Sequence, residues 1–223
     1  MKRLLLCLVP LIASAHDLWI KKVPQGYQLN YGHLHITQTH GGQKIMPYDP
    51  ETIQSIICHK DGKVESIENP KHYPLVVTQK CDELFITMDH GYFTKTPYGT
   101  KHLPKNAVKM PLKSWYSIES VKRVEKNSKE SIGHGLEIVL LNNPTEVGDK
   151  ARLLVLFDGK PIQGVVVAYG DKPRGQSGAD GRVNIRIKQP GLQNIKATLR
   201  QPCSDEKCDE MVYTTTLNIE VKE

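Results

Sequence analysis

The stretch ARLLVLFDGKPIQGVVVAYG, residues 151–170, decides the fold. Two apolar runs, residues 153–157 and 165–169, flank Asp158-Gly159 and then Pro161. Each run has the length and Val/Leu content of a buried strand and is too short for a buried helix. Asp-Gly favours a tight hairpin turn, because such turns place their central residues at positive φ. The same grammar continues around it in LEIVLL (136–141), GRVNIRIKQPG (181–191), LQNIKATL (192–199) and VYTTTLNIEV (212–221), with a second Asp-Gly turn in SGADGRV (177–183). Short strands at this spacing predict an immunoglobulin-like or transthyretin-like β-sandwich over residues 136–223.

The N-terminal half reads as strands too. YQLNYGHLHI (27–36), TIQSIICH (52–59), HYPLVVTQ (72–79) and DELFITMDHGYF (82–93) alternate or run apolar and are rich in β-branched and aromatic residues. Asp61-Gly62-Lys63 predicts a hairpin turn. WYSIESVKRVEKN (115–127) reads as a short helix or an irregular connection, and the polar, glycine-containing SKESIGHG (128–135) as a linker. The expected fold class is all-β: two antiparallel β-sandwich domains, residues 16–130 and 136–223.

The first residues set the compartment. Lys2 and Arg3 precede an apolar run, residues 4–12, which is long enough for a signal peptide and short for a membrane span. Ala13-Ser14-Ala15 fits a cleavage site, so the signal peptide is expected to be residues 1–15, with His16 as the mature N-terminus. The alternatives are an uncleaved anchor, or lipidation at Cys7, which Leu6 disfavours. A soluble periplasmic protein follows. The 223 residues are 39% apolar and 24% charged, as in ordinary globular proteins. The net charge of +6 comes from scattered lysines without a nucleic-acid motif, which reads as a solvated surface and no nucleic-acid partner. Beyond the leader the cysteines are Cys58, Cys81, Cys203 and Cys208. Of the three pairings open to them, Cys58–Cys81 and Cys203–Cys208 close short loops within each half. A thiolate metal site is the alternative, but the spacing matches no zinc pattern well.

Nine histidines are present, and eight precede residue 134. A chain beginning at His16 would offer one metal both its α-amine and its imidazole Nδ1. A second histidine would then complete a three-nitrogen set of the kind that suits Cu(II) or Ni(II). His33 and His35, two apart in YGHLHI, share a face if the strand runs through them. His40 follows on a Gly-containing loop, and His90 sits beside Asp89, which is placed to orient its ring. The candidate metal ligands are therefore His16, His33 and His35, with His40 and His90 as further members. His59, His72, His102 and His134 read as ordinary polar residues.

Five segments together carry a family resemblance: HDLWI (16–20), YGH followed by MPYDP (46–50), DHGYFTKTPYGTKHL (89–103), residues 136–170, and SGADGRVNIRIKQPG (177–191). They resemble the periplasmic proteins that accompany energy-coupling-factor nickel importers, over nearly the whole mature chain. The resemblance implies two β-sandwich parts, capture of nickel ion or a nickel chelate, and handover to inner-membrane transporter components. It carries His16 and His33 over as site residues. The stretch GHLHITQTHGG (32–42) departs from the simpler family pattern and leaves open whether His33 or His35 is the ligand and whether His40 joins it.

Three functions are to be weighed. The first is a periplasmic Ni(II)-binding protein serving an importer. The second keeps the site for Cu(II), as a chaperone or a histidine-brace protein, although two tryptophans and three phenylalanines supply little of the flat aromatic face an oxidative polysaccharide enzyme needs. The third is a non-metal envelope module built of immunoglobulin-like domains. No G-x-S-x-G, H-E-x-x-H or phosphate loop occurs, and the expectation is a protein that is not an enzyme.

Overall fold

The computed structural model describes residues 16–34, 45–170 and 172–222. The expected leader, residues 1–15, lies outside the described residues. In chain order the first strands are β1 (Asp17–Val23), β2 (Gly26–Gly32), β3 (Ile45–Met46), β4 (Ile53–Lys60), β5 (Lys63–Ile67), β6 (Val76–Val77), β7 (Glu83–Thr96), β8 (Gly99–Lys101) and β9 (Lys113–Val124). There follow β10 (Leu136–Leu140), β11 (Lys150–Phe157), β12 (Lys160–Pro161), β13 (Val166–Tyr169), β14 (Lys172–Gln176), β15 (Arg182–Arg186), β16 (Gly191–Pro202) and β17 (Glu210–Val221). Among the described residues the helical ones are two 3₁₀ turns, Pro50–Thr52 and Lys105–Ala107, and no helix is long and apolar enough to cross a membrane. The all-β sandwich class is the one observed.

The strands form three sheets among the described residues. One small sheet holds β1, β2, β3 and β6, and a second holds β10, β11, β12 and β15. The large sheet runs β14-β13-β16-β17-β9-β7-β4-β5, with β8 on β7. The Asp-Gly turns form as the sequence dictates: Asp61 and Gly62 at φ 48° and 78°, Asp158 and Gly159 at φ 48° and 73°.

The two halves meet at β9 and β17, which pair in parallel, Val121 beside Thr216 and Lys122 beside Leu217. Alternation then sorts their side chains to opposite faces. On one face Val121 joins a core with Leu18, Ile20, Leu29, Ile56, Leu84, Ile86 and Met88, and the Thr216 hydroxyl donates to the Leu18 carbonyl. On the other face Leu217 joins the core of Ile138, Leu153, Val155, Val167 and Ile195, and Lys122 reaches Glu137 of β10. Each small sheet thus covers one face of the same two central strands.

The segment 115–127, expected as a short helix or irregular connection, is mostly central strand. The difference has a physical cause: the charges of its strand portion, Glu119, Lys122 and Arg123, are not solvated. Lys122 is 1% exposed on its side chain and lies 2.9 Å from both Glu83 and Glu137. Arg123 is likewise buried, against Glu125 and Glu220. The polar stretch 128–135 is tied down by the same carboxylates. Ser128 donates to Glu83, while Ser131, Ile132 and Gly133 donate to Glu137. Both disulfides form as paired above, Cys58–Cys81 and Cys203–Cys208.

Candidate metal centre

The site grows out of the N-terminal core by simple alternation. Along β1 the core-facing positions Ile20 and Leu18 lead to His16, and along β2 Leu29 leads through Tyr31 to His33. Along β7 Ile86 and Met88 lead to His90, and along β9 Val121 leads to Glu119. Residues i and i+2 share a strand face, so four strands turn from apolar to polar at one end of the same core.

Register brings the two halves of the cluster together. Asp17 pairs with Gly32 and Leu18 with Tyr31, so one further step sets His16 opposite His33. Their ring centroids are 4.8 Å apart. On the large sheet Met88 pairs with Glu119, and the register then shifts between Asp89 and Gly91, leaving His90 as the extra residue of a bulge. Bulges re-aim side chains, and Gly91 at φ 73° permits this one. The Tyr31 ring bridges the halves, 5.5 Å from His16 and 5.6 Å from His90.

The electrostatics follow from burial. The His16 imidazole is held below the ordinary histidine value, first by burial and then by neighbouring His33, with the Glu119 charge opposing. Burial, followed by Glu119 and Asp17, drives the Tyr31 phenol up. Asp17 itself is engaged by Lys196 at 2.7 Å. His90 Nε2 and Glu119 Oε2 lie 3.6 Å apart, too far for a hydrogen bond. Both are buried and without a hydrogen-bond partner among the described residues.

β2 ends at Gly32, so His33 lies just beyond the strand and is placed by hairpin register. His35 and His40 lie outside the described residues. Asp89 does not orient the His90 ring: its carboxylate accepts from the Gly91 amide at 2.8 Å and from the Tyr116 hydroxyl. Glu119 faces His90 instead. It was missed because it lies in the segment read as non-strand. The legible trace was its spacing of two from Val121. Of the histidines read as ordinary, His72 and His134 are exposed, His102 stacks on Phe93 at 4.6 Å, and His59 is buried.

No three donors of His16, His33, His90 and Glu119 lie within 4.8 Å of one another. Among the described residues the set that does so is Cys203, Asp205 and Cys208. Its two sulfurs are bonded to each other, and a thiolate, not a disulfide, is the metal-binding form of cysteine.

Fold and site define a class: a disulfide-bonded, all-β, multi-sheet sandwich with a histidine-carboxylate cluster at the open end of one core. The chain belongs to the family described as Domain of unknown function (DUF4198), whose pattern matches residues 13–201. It is also similar to a protein of Haemophilus influenzae described as uncharacterized, with 25% identity over 167 residues, covering 72% of this chain and 70% of the relative. No solved structure matches. Neither match attaches nickel to the family.

Proposed function

We propose that the protein is a carrier that captures a divalent metal ion outside the cytoplasm, Ni(II) foremost, and delivers it to an inner-membrane nickel importer. The observation that carries the reading is the His16–His33 cross-strand pair, ring centroids 4.8 Å apart, with the Tyr31 ring in contact with both His16 and His90. Neutral imidazole is the ligating form, and burial together with neighbouring His33 favours that form at His16. The two disulfides fit an oxidising compartment, as does the leader-like start of the sequence. Removal of that leader after Ala15 would free the His16 amine as a second nitrogen beside its imidazole. A site built at a chain end opens easily, which suits delivery more than storage. Cu(II) is the second reading, since the same nitrogen donors bind it more tightly than Ni(II) in the test tube.

The test is calorimetric titration of the protein beginning at His16 with NiSO₄, beside a version carrying one extra residue ahead of His16. One strong site that the extension severely weakens is the expected result. Absence of nickel binding overturns the metal reading, and binding indifferent to the extension overturns the role of the free His16 terminus.

A further inference from the structure

The acidic side of the centre rests on the metal reading above and adds a separate observation to it. Glu119 is 6% exposed, and its Oε2 and the His90 Nε2 lie 3.6 Å apart, within ion-pair range but with no hydrogen bond to either atom. A buried carboxylate oxygen and a buried imidazole nitrogen each cost free energy when unpaired. Native proteins retain such atoms where something else satisfies them. A water molecule would bridge the two atoms but leave the carboxylate charge uncompensated, and a proton on His90 would pair the charge but still leave both atoms without a hydrogen bond at 3.6 Å. A cation answers both needs, and the other imidazoles, His16 and His33, stand on the facing sheet.

We propose that Glu119 Oε2 and His90 Nε2 are direct ligands of the bound cation, which they hold together with His16 and His33. The register shift at Asp89–Gly91 falls on His90 itself, and bulges are a device for re-aiming a side chain. One carboxylate lowers the charge of a bound divalent ion from two to one in a buried place, where uncompensated charge is most costly. A nitrogen-oxygen donor set of this kind selects oxidised divalent ions over Cu(I), which prefers sulfur.

The experiment compares the protein beginning at His16 with its Glu119→Gln and His90→Gln variants. NiSO₄ titration gives affinity, and the electron paramagnetic resonance spectrum of the CuSO₄-loaded protein reports the ligand set. Loss of an outer partner of a ligand costs about 10–100-fold in affinity, so loss of a ligand should cost more than about a hundredfold and shift the Cu(II) spectrum. The metal-free Glu119→Gln protein should also melt higher than wild type, because a buried carboxylate oxygen without a hydrogen bond has gone. The proposal is overturned if Glu119→Gln keeps wild-type affinity, or if affinity falls while the spectrum stays the same. It is equally overturned if the metal-free variant melts lower with affinity unchanged, since Glu119 would then be a structural partner of His90. A wild-type protein that binds neither metal removes the metal reading itself, a result distinct from these.

Discussion

Replacing Lys122 by methionine should destabilise the protein by about 3–5 kcal/mol, the cost of breaking a buried ion pair by removing one partner. The Lys122 ammonium lies 2.9 Å from Glu83, 2.9 Å from Glu137 and 2.9 Å from the Glu130 carbonyl. All three charged side chains are 1% exposed. Methionine preserves most of the volume, so cavity formation contributes little. What remains is two carboxylates facing one another without a cation. They are not stripped bare: Glu83 keeps the Ser128 amide at 3.0 Å and hydroxyl at 2.9 Å. Glu137 keeps Ser131, Ile132 and Gly133 at 2.6, 3.2 and 3.1 Å. Those donors keep the cost inside the stated range. Urea unfolding followed by circular dichroism reads it directly, and the melting temperature should fall by roughly 6–20 °C for a chain of this size. Adding Glu83→Gln and Glu137→Gln to Lys122→Met removes the stranded charges and should recover a large part of the loss. Lys122 faces the sheet opposite the histidine cluster, so metal affinity should not move. A loss under about 1 kcal/mol, or a triple variant no better than the single one, would refute this electrostatic account.

Other consequences are equally direct. Gly133→Ala would place a methyl 2.4 Å from the Phe85 ring, so urea titration should show a loss of about 1–3 kcal/mol from overpacking. Replacing Cys58 and Cys81 by alanine opens a loop of sequence separation 23, against 5 for Cys203 and Cys208. The first pair should therefore cost about 3 kcal/mol and the second about 2 in thermal unfolding. The folded chain holds His16 below the ordinary value of 6.5, so in that interval it binds fewer protons than the unfolded chain. Its contribution to stability is complete above pH 6.5 and is lost as pH falls from there toward the lowered value. The metal-free melting temperature should drop over that interval in the wild type, and less in His16→Gln. Proton competition should weaken metal binding over the same range.

The fold was legible wherever turn chemistry and alternation agreed. Asp158-Gly159 and Asp61-Gly62 announced hairpins, and the apolar runs around them became strands. The reading broke at β9, where Glu119, Lys122 and Arg123 are buried, because a pattern of charges implies solvent unless the partners are known. Those partners are distant in sequence: Glu83 and Glu137 for Lys122, Glu220 for Arg123. HYPLVVTQ reads as a full strand, yet the strand is Val76–Val77; ahead of it Pro74 has no N–H to give and the Leu75 amide donates to the Tyr48 hydroxyl. Within the site, His16 and His33 were legible as chemistry, but their meeting depends on the β1–β2 register. The facing of His90 and Glu119 depends on the β7–β9 register, which pairs Met88 with Glu119.

The most direct test of the account is a crystal of the protein beginning at His16, soaked in NiSO₄, with anomalous scattering recorded across the nickel edge. The account predicts one strong peak among His16, His33, His90 and Glu119, with the imidazole nitrogens about 2.0–2.2 Å from the ion. A peak at the Cys203–Cys208 loop alone, or no peak on the protein at all, would contradict it.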